Sequence, residues 1–226
     1  MFARTVWAVF RKDVVIELRS RETLATTLFF ALSAVLVFAF AFVRDGRAVA
    51  DAAAGILWIA IAFAGTLALG RVFERERYED AMRALLMAPA PRAAIYVGKL
   101  AGIVALLAAA EALLVPLVAL LFDAGVMFAR PLLLVAILAA GTIGFAAVGT
   151  LFAAMLVRAR SRDVLLPVLL YPITIPVIIA GVRATAALAR PVPDEPMAVF
   201  WLMLLVFFDA VFLVLALWTF EPLMAD

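Results

Sequence analysis

Six long apolar runs decide what this chain can fold into: Leu24–Val43, Ala52–Gly70, Leu100–Phe122, Leu132–Val157, Val164–Val182 and Met197–Thr219. Each is close to the ~20 residues a helix needs to cross the hydrocarbon of a bilayer. Backbone N–H and C=O groups find no water there, so each run must bond within itself, and six helices are expected. Composition agrees. The chain is 69% hydrophobic and 16% charged, against about half and a quarter in soluble domains. No linker, low-complexity tract or internal repeat divides it. The expected fold is therefore an all-α membrane protein, one domain over residues 1–226, with six transmembrane helices.

Charge placement sets the expected orientation. Fourteen of the 19 Lys and Arg residues flank one side of these spans: before the first, between the second and third, and at Arg158, Arg160 and Arg162. Arg44, Arg47, Arg130, Arg183 and Arg190 flank the other. The rule that positive loops stay inside puts both termini and the central loop in the cytoplasm. The N-terminal region reads as retained. Its charges recur through Glu22 and its first apolar run is longer than the ~7–15 residues of a signal core.

Two stretches outside the spans are amphipathic. Phe2–Arg19 reads as an interfacial helix, with Val6, Phe10, Val14 and Leu18 in one stripe and Arg4, Arg11, Lys12 and Arg19 opposite. Asp13 and Glu17 interrupt the apolar sector. Two readings stand: the acids touch water at a frayed edge, or this face meets protein and they pair with Arg71 or Arg75. The second stretch, Arg71–Lys99, carries six basic and four acidic residues between two spans. Glu74, Glu76, Glu79 and Asp80 lie at its front, Tyr78, Met82, Leu85 and Leu86 give it an apolar side, and Arg83 follows the acids before Pro89 ends the pattern. Acids early and bases late suit a helix dipole. Four acids within seven residues sit poorly on an anionic leaflet, so this segment is expected to be a cytoplasmic coupling helix that docks on a soluble partner protein.

The spans carry their own signals. Glu111 and Asp209 lie within the third and sixth. An acid at mid-bilayer costs ~2.5–3.5 kcal/mol on insertion scales, so neither is expected to face lipid. A backbone donor or an Arg on a neighbouring helix is the expected partner, and a place on a substrate path is the alternative. Pro167, Pro172 and Pro176 each delete a helical hydrogen bond in the fifth span. Three within ten residues predict a broken or bent helix, followed by a short outer helix over Ala184–Ala189. In the fourth span, Ala136, Ala140 and Gly144, and on another face Ala146, Thr150 and Ala154, are spaced for close helix approach.

The absences narrow the function. With no Cys there is no thiolate metal site or thiol chemistry, and with no His the commonest base and metal ligand is missing. No metal site is predicted, and the chain is not expected to be an enzyme. A net charge of +2 does not suggest nucleic acid. Gly98-Lys99 fails as a phosphate loop, because Leu100 stands where Ser or Thr belongs. Any motor must be a separate chain that binds the ATP.

The segment ERERYEDAMRALLMAPAPRAAIYVGK resembles the coupling region of ABC-2-type exporter permeases. With KDVVIELRSRETL, GILWIAIAFAG and LLPVLLYPITIPVIIAGVRATAAL, the resemblance narrows to the CcmB family and runs along nearly the whole chain. It implies a six-helix permease subunit in the bacterial inner membrane, working in cytochrome c maturation with a CcmA-like ATPase. CcmC-like and CcmD-like membrane subunits and, indirectly, a CcmE-like chaperone are the other implied partners. Six spans make half a transporter, so a second permease copy is also expected. Haem is the implied cargo of the complex. Haem iron is usually held by His, Cys, Met or Tyr. Two of these are absent, so the chain is expected to transmit force or form a wall without ligating haem. An exporter of another substrate, a lipid or drug, and an assembly factor that transports nothing remain the alternatives.

Overall fold

The computed structural model describes residues 1–44, 47–48, 52–78, 91–156, 159 and 161–223. Among them seven α-helices follow one another: α1 (Phe2–Ser20), α2 (Glu22–Ala41), α3 (Ala53–Tyr78), α4 (Arg92–Leu121), α5 (Pro131–Met155), α6 (Arg162–Ala189) and α7 (Glu195–Leu223). A 3-10 turn, Gly125–Ala129, joins α4 to α5, and Val43–Arg44 pairs antiparallel with Arg47–Ala48 over two residues. Six of the helices, α2 to α7, are long and apolar enough to cross a membrane.

The spans begin and end within a few residues of the apolar runs, except where charge or proline blurs them. α3 runs on to Tyr78, so Arg71–Tyr78 continues the second span. α4 starts at Arg92, so Tyr96, Gly98 and Lys99 belong to the third span and are buried. The charged segment is thus no single helix from Arg71 to Lys99. Helix propensity and i→i−4 bonding do not stop at a membrane surface, whereas hydropathy does.

The fifth span differs most from its expectation. α6 is continuous from Arg162 to Ala189 through Pro167, Pro172 and Pro176, and Ala184–Ala189 is its last part, not a separate helix. Proline removes a donor, but its fixed φ near −65° is itself helical. α6 packs against α3, α5 and α7, and the helix carries on through all three prolines without a break.

α5 is the centre of the bundle and contacts α3, α4, α6 and α7. It and α3 each bury 67% of their spanning residues, against 17% for α7, which places α7 at the edge. Glycines make this centre possible. The Trp58 ring of α3 lies against Gly141 of α5 and Gly181 of α6, and its indole N–H donates to Thr185 Oγ1 at 3.0 Å. Phe145 covers Gly65, and Leu69 covers Gly149. The face of α5 against α3 is therefore Gly141–Phe145–Gly149. Gly144 of the expected close-approach stripe instead receives Asp209 and Phe208 of α7 and Val177 of α6, and Ala140 is buried. Tyr96 donates to the Ala147 carbonyl at 2.9 Å and ties α4 to α5.

At the other end of the spans, short polar contacts fasten the turns. Arg130 Nε reaches Glu195 Oε1 at 2.5 Å, Arg190 reaches Asp194 at 3.0 Å, and Asp194 Oδ1 accepts the Met197 N–H at 3.2 Å.

A Cβ at Gly141 would overlap Trp58, whereas one at Gly55 meets nothing within 4 Å. Gly141→Ala is expected to lower stability by about 1–3 kcal/mol, and Gly55→Ala to leave it unchanged or raise it by up to about 1 kcal/mol. Denaturant unfolding in detergent micelles, followed by tryptophan emission, measures both.

Candidate functional site: buried charges around α4 and α5

The charged segment leaves the bundle from α3 and returns to it at α4. Glu74, Glu76 and Tyr78 lie on the final turns of α3. Glu79, Asp80, Met82, Arg83, Leu85, Leu86 and Pro89 lie outside the described residues. What the structure describes fully is the anchorage at the root of α4. There Lys99 is 2% exposed and its Nζ lies 2.8 Å from Asp13 Oδ2, on a carboxylate that is itself 13% exposed.

Local backbone shape makes this pair possible. Gly98 and Gly102 are one turn apart on α4 and present bare backbone to α1. A Cβ at Gly98 would lie 2.7 Å from Val9 Cβ and 3.0 Å from the Val6 carbonyl oxygen, and one at Gly102 would sit 3.4 Å from Asp13. α1 therefore docks through Val6, Val9 and Asp13, while Trp7 and Leu18 stay exposed. Small residues four apart let helices approach closely, and the approach brings Asp13 to Lys99. The acid interrupts an apolar sector because that sector meets protein. Its buried partner is Lys99, however, and not Arg71, which reaches Glu22 at 3.3 Å; the Arg75 side chain lies outside the described residues.

Glu17 has a different task. Its Oε1 accepts the Leu24 N–H of the first turn of α2 at 2.7 Å. Arg21, in the left-handed region at φ 53°, turns the chain between the two helices. A carboxylate at a helix N-terminus satisfies an otherwise orphan donor and faces the positive end of the dipole.

The two intramembrane acids flank α5. Glu111 of α4, 7% exposed, accepts a hydrogen bond from the Thr142 hydroxyl. Its partner is neither an Arg nor a backbone donor. Asp209 of α7, 8% exposed, lies over Gly144, where a Cβ would come within 2.5 Å of its Oδ1; that oxygen has no hydrogen-bond partner among the described residues. Thr142 and Gly144 are two residues apart, about 200° around the helix, so α5 separates the acids. Val177, next to Pro176, is the α6 side chain near Gly144.

The sequence pattern does not single out Lys99 or Thr142 as site residues. The pattern Gly98-Lys99-x-x-Gly102 is the signal that could have found the first: a cation beside a small-residue stripe at the mouth of a span.

Removing the ammonium strands a buried carboxylate. Lys99→Met is expected to destabilise the chain by about 3–5 kcal/mol, lessened by Lys12, whose Nζ lies 3.2 Å from Asp13. The double change Asp13→Asn, Lys99→Met is expected to recover most of the loss. Unfolding of the three proteins in detergent checks this, and equal losses for single and double variants would show that the charges do not interact.

Comparison with known proteins places the chain. It is similar to proteins named heme exporter protein B. That of Haemophilus influenzae is 25% identical over 185 residues, 82% of this chain and 83% of the relative. That of Bradyrhizobium diazoefficiens is 29% identical over 182 residues, 80% of each. That of Escherichia coli K12 is 28% identical over 93 residues, so the chain spans 42% of that relative's length. A family profile described as CcmB protein matches residues 4–222. With six apolar helices and a profile match along nearly all of its length, this chain is a multi-pass membrane protein and belongs to the CcmB family.

Proposed function

We propose that this chain is the permease subunit of a haem-exporting ABC transporter in the inner membrane. A separate CcmA-like ATPase docks on the charged segment between α3 and α4 and drives it. The single observation that carries the reading is the family match from residue 4 to residue 222, which includes that segment. The names of the relatives supply haem as the cargo. The positive-inside distribution supplies the side: both termini and the segment face the cytoplasm, where ATP is.

The geometry supports a route for the force. A docking protein that moves residues 79–91 acts on the end of α3 and the start of α4 at once, because both helices continue into the segment. At α4 the push meets the buried Asp13–Lys99 pair, so α1 travels with α4. From α4 the motion passes to α5 through Tyr96–Ala147 and Glu111–Thr142. CcmC-like and CcmD-like subunits complete the assembly, and the cycle serves haem delivery to a CcmE-like chaperone. A second permease copy provides the other half of the transporter.

Leu85→Asp with Leu86→Asp places two charges on the apolar side of the proposed docking surface. We expect the ATPase subunit no longer to co-purify with the chain, while membrane level and detergent stability stay as in the unaltered protein. Undiminished co-purification would move the contact elsewhere.

A further inference from the structure

A cavity of about 470 Å³ opens between α4 and α5 beneath the 3-10 turn. Ligand pockets commonly fall between ~300 and ~1,000 Å³. Its wall is apolar except at Glu111 and Thr142, and Glu111 is the one ionisable residue on it among the described residues. One carboxyl oxygen of Glu111 accepts the Thr142 hydroxyl, and the other has no hydrogen-bond partner among the described residues. Glu111 lies ten residues from the end of α4 at Leu121, about 15 Å along the helix, which is half the ~30 Å hydrocarbon thickness. The cavity is open sideways. Val135 on its wall is 62% exposed, and Ala112 and Ala139 are also exposed.

These features select the occupant. A lipid tail would fill the volume but leave Glu111 protonated and make no use of its carboxyl, and an anion would be repelled by the ionised form. Phe128 and Pro131 wall the cavity where α4 turns into α5, so a helix crossing the whole bilayer does not lie along it. What fits is an apolar body that brings its own positive charge. We propose that this cavity binds a lipophilic organic cation, which enters from the bilayer and exchanges for the proton on Glu111. Among the described residues no other ionisable group faces that carboxyl: α5 offers Thr142, and Asp209 lies on the far side of α5. Proton and cation therefore compete for one site.

Tetraphenylphosphonium is the probe. Its binding to the full chain in lipid nanodiscs is measured by equilibrium dialysis, with empty nanodiscs as the reference. We expect saturable binding near one equivalent per chain that weakens on acidification. Glu111→Gln is expected to weaken it at least about tenfold, as loss of one partner of a desolvated charge pair does, and to abolish the pH dependence. Ala139→Phe fills the cavity from an exposed position, leaves the carboxyl in place, and is also expected to reduce binding. Uptake no greater than that of empty nanodiscs would overturn the proposal. So would unchanged affinity in a correctly folded Glu111→Gln variant, or in Ala139→Phe.

Discussion

A buried ammonium at the root of α4 fixes more of this molecule than any other single group. Lys99 is enclosed by protein, and an enclosed cation is tolerable only beside an anion. Asp13 is that anion, 86 residues away in sequence. The pair requires α1 to lie on α4, and Gly98 and Gly102 let the backbones come close enough. Once α1 is placed, Glu17 reaches the first turn of α2, and Arg71 of α3 closes on Glu22. Four helices are thereby tied around one charge at the mouth of the bundle.

Deeper in the bundle, shape replaces charge. Lipid tails are as apolar as leucine, so helices in a membrane hold together through close packing and a few hydrogen bonds. Here α5 supplies that packing. Its glycines receive Trp58 and Leu69 on the side of α3, and Gly144 receives Asp209 on the side of α7. The edges are different. Phe29, Phe30 and Phe40 of α2, and Phe207 and Trp218 of α7, stay exposed, as suits helices that meet lipid or another membrane chain.

Much of this was legible from hydropathy. Except for α6, which runs on past Arg183 to Ala189, the outer ends of the spans fall within two residues of the apolar runs, where water and Arg, Asp or Pro mark them. The inner ends of α3 and α4 were not, since a helix that emerges into water keeps its hydrogen bonds while its hydropathy drops. The prolines of α6 suggest a break because each removes a donor, yet their φ fits a helix and the helix continues through all three. Asp13 was legible as an anomaly in an apolar sector, but its partner was not. The sequence offers Arg71 or Arg75, whereas Lys99 is the cation that Gly98 and Gly102 let α1 reach. Glu111 needed a neutral partner, and a threonine inside an apolar run gives no sign in composition.

The account rests on α1 and α4 moving as one body when the charged segment is pushed. The chain has no cysteine, so spin labels can be placed at will. Labels on Arg11 of α1 and Ala109 of α4 report the distance within that body, and labels on Ala109 and Ile179 of α6 report the distance across the bundle. Pulsed electron–electron double resonance on the complex with the proposed ATPase subunit, without nucleotide and with ATP trapped, reads both. The account predicts an unchanged first distance and a shifted second one. A first distance that changes with nucleotide while the second stays fixed would contradict it.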